Sequence, residues 1–145
     1  MAKYIKKIIV GALPFILLLA FIGVRESGAA DCAEFRFEFP ISNASLHGRI
    51  SAEGRHRCDT EANVWIILSD GFGYYLQSPE VSIYANGSWD QDNISLGGGI
   101  KSIIAVQVNE EGHNEFKRKV KRGEWGQFKT LPNGSKKLEK IRIRN

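Results

Sequence analysis

Residues Glu34-Phe35-Arg36-Phe37-Glu38-Phe39 alternate charged and aromatic side chains without a break. Successive side chains of a strand point to opposite faces, so this period predicts a half-buried strand with three phenylalanines on one face. Pro40 ends it. The rest of the chain extends the same theme. Leu46, Gly48, Ile50 and Ala52 alternate with polar residues and predict a second strand over 45–52. The polar, glycine-containing stretch Gly54 to Glu61 reads as a loop. Val64-Trp65-Ile66-Ile67-Leu68 is continuously apolar, as expected of a central strand covered on both faces. Asp70-Gly71-Phe72-Gly73 signals a turn, and Tyr74-Tyr75-Leu76-Gln77 begins a strand limited by Pro79.

Asn86-Gly87 lies between Val81-x-Ile83 and Ser88-Trp89-Asp90, which predicts a hairpin with a type I′ turn. Asn93 to Leu96 is a further short strand ended by Gly97-Gly98-Gly99. Ile103 to Val108 is the second strongly apolar strand. Asn109 then has the chemistry of a helix cap, Glu110 and Glu111 suit the positive helix end, and Gly123 is a natural stop. Phe116 and Val120 fall on one face at i, i+4, so a short helix should lay that stripe on the sheets. Ile141 and Ile143 alternate with Arg142 and Arg144 in a last strand, expected at an edge, where cations deter pairing with another chain. About seven short strands and one short helix predict an all-β, antiparallel β-sandwich.

A 17-residue apolar run, Ile8 to Val24, follows Lys3, Lys6 and Lys7 and precedes Ser27-Gly28-Ala29-Ala30. A cationic head, an apolar stretch and a small-residue end form a secretory signal, with cleavage expected after Ala30. The alternative is a retained N-terminal membrane anchor, for which the run is short against the usual 20 or so residues. The small-residue match favours cleavage. Either way residues 1–30 are a leader helix and residues 31–145 an extracytoplasmic domain, periplasmic or secreted. Membrane contact is expected only through an uncleaved leader, and export argues against nucleic acid as a partner.

Two cysteines, Cys32 and Cys58, in a small exported domain read as one disulfide. His56 and Cys58 supply only two metal ligands with no second pair, so no metal site is expected. Asp90-x-Asp92-Asn93 has closely spaced oxygens but lacks the downstream Glu of a calcium loop, and reads as a solvated turn. His47, His56 and His113 lie in separate segments, and no nucleophile–base pair stands out. The expected class is therefore non-enzymatic, with no cofactor.

The net charge of +4 is misleading, because the leader carries +3 of it. The rest is split: residues 31–114 hold 5 basic and 12 acidic residues, and residues 115–145 hold 11 basic and 3 acidic. The simplest expectation is mutual neutralisation across one fold. The competing one is a basic interaction region at Lys117, Arg118, Lys119, Lys121 and Arg122 that binds an acidic partner. Among the aromatics, Trp65 and Trp89 are expected in the core between sheets, and Tyr74, Tyr75 and Trp125 on the surface, where rings stack on sugars or contact proteins.

The succession Val64-Trp65-Ile66-Ile67-Leu68, Gly73-Tyr74-Tyr75-Leu76-Gln77-Ser78-Pro79, Asn86-Gly87-Ser88-Trp89, Ile94-Ser95-Leu96-Gly97 and Ile104 to Val108 resembles a small β-sandwich accessory domain of prokaryotic proteins. Such domains look like immunoglobulin-like or carbohydrate-binding modules. The resemblance spans roughly residues 46 to 116 and implies the fold but no activity. This chain departs from the usual pattern in having Tyr74-Tyr75 at the aromatic pair and Ser78 between Gln77 and Pro79. In a prokaryotic setting, which the resemblance implies, the Asn-x-Ser triplets at Asn43, Asn86, Asn93 and Asn133 are turn chemistry rather than glycosylation sites. The combined expectation is a binding or interaction module for a glycan or envelope protein, the alternative being a structural subunit of an envelope complex.

Overall fold

A computed structural model describes residues 30–144. The apolar run Ile8 to Val24 and the residues before Ala30 lie outside them. Nine strands and one helix follow in the order β1 (Cys32–Phe39), β2 (Ala44–Ser45), β3 (Gly48–Cys58), β4 (Asn63–Ser69), β5 (Tyr74–Leu76), β6 (Ser82–Ile83), β7 (Ser88–Leu96), β8 (Ser102–Val108), α1 (Glu110–Arg122) and β9 (Lys136–Arg144). They form a four-stranded sheet, β1-β3-β7-β6, and a five-stranded sheet, β2-β9-β8-β4-β5. The two face each other across a common core, as in a β-sandwich.

That common core takes Phe35, Ala52, Trp89 and Ile94 from one sheet and Val64, Ile66, Ile103 and Ile141 from the other. Trp89 is its centre. The indole stacks on Phe35 at 4.5 Å, meets Phe37 edge-on at 5.0 Å, and donates its N–H to the Arg36 carbonyl at 2.9 Å. A buried indole with its one donor satisfied contributes area without a polar penalty.

The alternate residues of the five-stranded sheet form a second core under α1. Trp65, Ile67, Ile104 and Val106 pack there against Phe116. This corrects the expectation that both tryptophans lie between the sheets. β4 is covered on both faces, and the even–odd alternation of its side chains sends Val64 and Ile66 inward and Trp65 to the helix side. α1 itself forms as its sequence implies. The Asn109 side chain accepts from the amide of Gly112 at 2.9 Å, Glu110 and Glu111 occupy the first turn, and Gly123 closes the helix.

Five further expectations need correction. Residues 54–58 are strand, not loop, because β3 runs on to Cys58. Gly54 is there for close approach: a Cβ would overlap the Arg36 carbonyl oxygen. His56 continues the inward alternation despite its polarity. It is buried, its Nδ1 accepting from the Cys58 amide at 3.0 Å and its Nε2 donating to the Tyr84 carbonyl at 2.9 Å.

The 45–52 strand is split instead between the two sheets at Leu46-His47, and its first piece, β2, pairs with β9 in parallel. The sandwich is thus not wholly antiparallel.

Residues 88–90 and 93–96 are one strand, β7, with Asn93 at φ 60° beside a bulge against β3.

The hairpin before it turns on Tyr84 to Gly87, with the Gly87 amide donating to the Tyr84 carbonyl. Only Gly87 of the Asn-Gly pair takes positive φ, at 83°, so the turn is not type I′.

β9 begins earlier than expected, at Lys136. It is an edge along most of its length, since β2 covers only Ile143 and Arg144. Cys32 and Cys58 pair in register between β1 and β3 and are disulfide-bonded, with Cα atoms 3.9 Å apart.

Candidate functional site

The candidate site is a groove of about 620 Å³ at the edge where β5 passes over to β6. Its walls come from four places. Tyr75 and Gln77 belong to β5 and its exit, Asn93 and Ser95 to β7, and Trp125 to the segment after α1. Arg49 of β3 lines it as well, register-paired with Ser95.

Gln77 joins the two sheets at the groove floor. Its backbone amide donates to the Ile66 carbonyl of one sheet at 3.2 Å, and its side-chain oxygen accepts from the Ser95 amide of the other at 2.9 Å. Because the Gln77 side chain is largely buried, these bonds tie the two sheets together at the groove. Asn93 lies at the rim in the left-handed region, which an ordinary residue adopts only at some cost. A bulge with such a residue re-aims the side chains around it, a device found beside binding sites.

Tyr75 is held from behind. Its hydroxyl donates to Asp70 Oδ2 at 2.8 Å, while Asp70 Oδ1 accepts from the amides of Phe72 and Gly73. Gln127 also donates to Asp70 Oδ2, at 2.9 Å. The amide of Phe72, then the Tyr75 hydroxyl, keep the Asp70 carboxyl below its ordinary range. The same Asp70 contact pushes the Tyr75 hydroxyl above its own. The network pins the Asp70 turn, the Tyr75 ring and the chain after Trp125 to one another. Gly73 belongs to this arrangement, since a side chain there would strike Gln127.

The three surface aromatics expected from the sequence do not converge. Tyr75 and Trp125 share the groove, Trp125 being 48% exposed. Tyr74 is one residue away in the strand and therefore points to the other face. There it packs on Phe128 at 5.8 Å, and its hydroxyl accepts from Lys137 at 2.8 Å. Both tyrosines are half-buried rather than open. Arg49 was not singled out from the sequence, and Gln77 and Asn93 were named there only as motif and turn residues, not as site residues. A positive φ at Asn93 was the one feature with a local signal, in its Asn-x-Ser turn chemistry.

The basic residues Lys117, Arg118, Lys121 and Arg122 are exposed on α1, and Lys119 is half-buried with its ammonium 5.9 Å from the Phe128 ring. His113 is also on α1, where its Nδ1 accepts from the Trp65 indole at 3.2 Å and lies 3.2 Å from Glu80. Asp90 accepts from the Tyr84 hydroxyl and Asp92 from Ser51. Among the described residues, no group of three or more His, Cys, Asp or Glu side chains is gathered as a metal site. Within the same residues no helix is long and apolar enough to cross a membrane.

No family model matches the chain, and neither a curated protein nor a solved structure matches it.

Proposed function

We propose that this chain is a non-enzymatic extracytoplasmic binding module, an accessory domain of the kind its motifs resemble, that takes a saccharide in the groove beside Tyr75 and Trp125. The observation that carries the reading is one fixed ring and one open ring sharing a groove whose remaining walls offer amides, hydroxyls and a guanidinium. A sugar presents an aliphatic C–H face for packing on an aromatic ring and hydroxyls at its edge for side-chain donors and acceptors. Concave sites with few placed polar groups among apolar walls are the common form of small-ligand site. The groove's described lining has neither a carboxylate nor an imidazole, the groups that general acid–base hydrolysis of a sugar would use. Export fits the Cys32–Cys58 disulfide, which an oxidising compartment maintains.

A glycan array followed by calorimetry tests this. Trp125→Ala should weaken any hit by about fivefold, since one lost ring contact is worth on the order of 1 kcal/mol. Tyr74→Ala, on the opposite face, should leave it unchanged. An array without hits, or equal affinity for Trp125→Ala, sinks the proposal. A second reading, as a structural subunit of an envelope complex, draws on the bare side chains Ile41 and Phe72, 68% and 78% exposed. Capture of an envelope protein lost on Phe72→Ser would favour it.

A further inference from the structure

The basic last part of the chain does not spend its charge on the acidic first part. Among the described residues the acidic part pairs with itself: Glu34 with Arg36 and Arg57, and Glu38 with Arg55. One ion pair crosses between the two parts, Lys136 to Asp31 at 3.1 Å, and it holds Asp31 below the ordinary carboxylate range. Arg122 pairs only with its neighbour Glu124. Among the described residues the other cations of α1 and β9 have no carboxylate in ion-pair contact, so contact pairing between the two parts does not carry the expected neutralisation.

Strand register places these cations together. Lys137 pairs with Val106 and Lys140 with Ile104. Val106 and Ile104 belong to the core under α1, and register partners point to the same side of a sheet. Both lysines therefore emerge on the α1 side. Arg142 and Arg144 alternate with Ile141 and Ile143, which face the common core, so they emerge there too. The two sets meet over an aromatic pair: Lys137 lies 5.1 Å from the Tyr74 ring and Lys119 5.9 Å from the Phe128 ring. Ring faces attract ammonium groups, so they hold these two cations without cancelling their charge.

We propose that the outer face of the five-stranded sheet, from α1 to β9, is a docking surface for an acidic polysaccharide, a polymer bearing repeated carboxylate or sulfate groups. Charge complementarity selects the class. The cations are spread along a nine-residue strand, roughly 30 Å at 3.4 Å per residue, and along the adjacent helix, which suits a chain of anions rather than a single one. A bilayer fits less well. The face's own rings, Tyr74 and Phe128, are half-buried beneath lysines, and Phe116 and Val120 turn inward, so none of these four side chains stands out to enter an acyl layer.

The test uses the full chain on immobilised heparin and alginate, on neutral dextran, and with phosphatidylcholine vesicles containing phosphatidylglycerol. Retention is expected on both acidic polymers at low salt, not on dextran, and should fall steeply by a few hundred millimolar salt. The triple variant Lys119→Gln, Lys137→Gln, Lys140→Gln should bind about tenfold more weakly, with a salt slope lower by about 2–3. Arg36→Gln, Arg55→Gln, Arg57→Gln removes the same charge from the opposite face and should change retention less than about twofold. Trp125→Ala should leave it unchanged, which separates this surface from the groove. Equal loss in both triples, no loss in the first, loss in Trp125→Ala, or tighter binding to vesicles than to polymers would each overturn the proposal. Should the first triple fail to fold, Arg118→Gln with Lys121→Gln, both exposed and away from the rings, carries the test with about a threefold loss expected.

Discussion

The two outer faces of the sandwich handle their charges in opposite ways. On the four-stranded sheet, arginines and glutamates of neighbouring strands answer each other, and the disulfide ties β1 to β3 at one end. On the five-stranded sheet a helix is packed over the strands, and among the described residues the cations around it, apart from Arg122 and Lys136, have no ion-pair partner. Exposed ion pairs contribute only about 0–1 kcal/mol each, so the first face is not held on by its salt bridges. They make it electrically quiet. The second face is held by buried apolar area, which leaves its charges free for another task. Adhesion and charge are thus separate matters: packing and a covalent link hold each layer, while pairing decides which layer is open to a charged partner.

The sharpest way to break this comparison is to remove the packing under α1. Phe116 is fully buried, edge-on to Trp65 at 5.5 Å and 6.0 Å from Phe128. Phe116→Ala should cost about 3–5 kcal/mol in urea unfolding. A cost below about 1 kcal/mol would mean that the helix does not depend on this contact.

Opening the other layer's covalent link is next. Replacing Cys32 and Cys58 together by Ser removes a crosslink between residues 26 apart in sequence and should cost roughly 3 kcal/mol, read as a lower unfolding midpoint. An unchanged midpoint would leave the β1–β3 pairing standing on its own hydrogen bonds.

A third change should act in the opposite direction. Gln91 is 2% exposed on the inner side of β7, and neither its side-chain nitrogen nor its oxygen has a partner. An unpaired buried amide is a net cost, so Gln91→Leu should stabilise by about 1–2 kcal/mol. A loss of stability would instead reveal a partner for the amide in solution, such as a buried water.

The smallest stability effect belongs to the ion pairs. Glu34→Gln with Glu38→Gln should shift stability by less than about 1 kcal/mol. The same double variant frees Arg36, Arg55 and Arg57, so retention on an acidic polymer should rise. If it does not, unpaired charge alone is insufficient and the arrangement of cations on the α1 face is what matters.

Much of this architecture was legible in the chain because it rests on local rules. Alternation at 34–39 and the apolar runs at 64–68 and 103–108 marked strands. The Asn109 and Gly123 caps bounded the helix, and cysteine count with export pointed to the disulfide. The misreadings share one cause. Gly54 looked like a turn residue because glycine serves both turns and close backbone contacts, and only the approach of the Arg36 carbonyl decides between them. Trp65 and Trp89 look alike in sequence. Which of two cores receives each depends on a helix that arrives some 50 residues later, packing on one face of β4. The groove was half visible. Tyr75 and Trp125 could be picked out as rings, but nothing local says that Gln77 bridges two sheets or that Asn93 bulges beside it.

Sequence alone therefore determined the strongly periodic strands, the helix and the number of charges, since periodicity, capping and composition act within a few residues. Tertiary structure decided which rings share a groove and which charges meet a partner. Those depend on register between strands distant in the chain, where a shift of one residue turns every side chain to the other face.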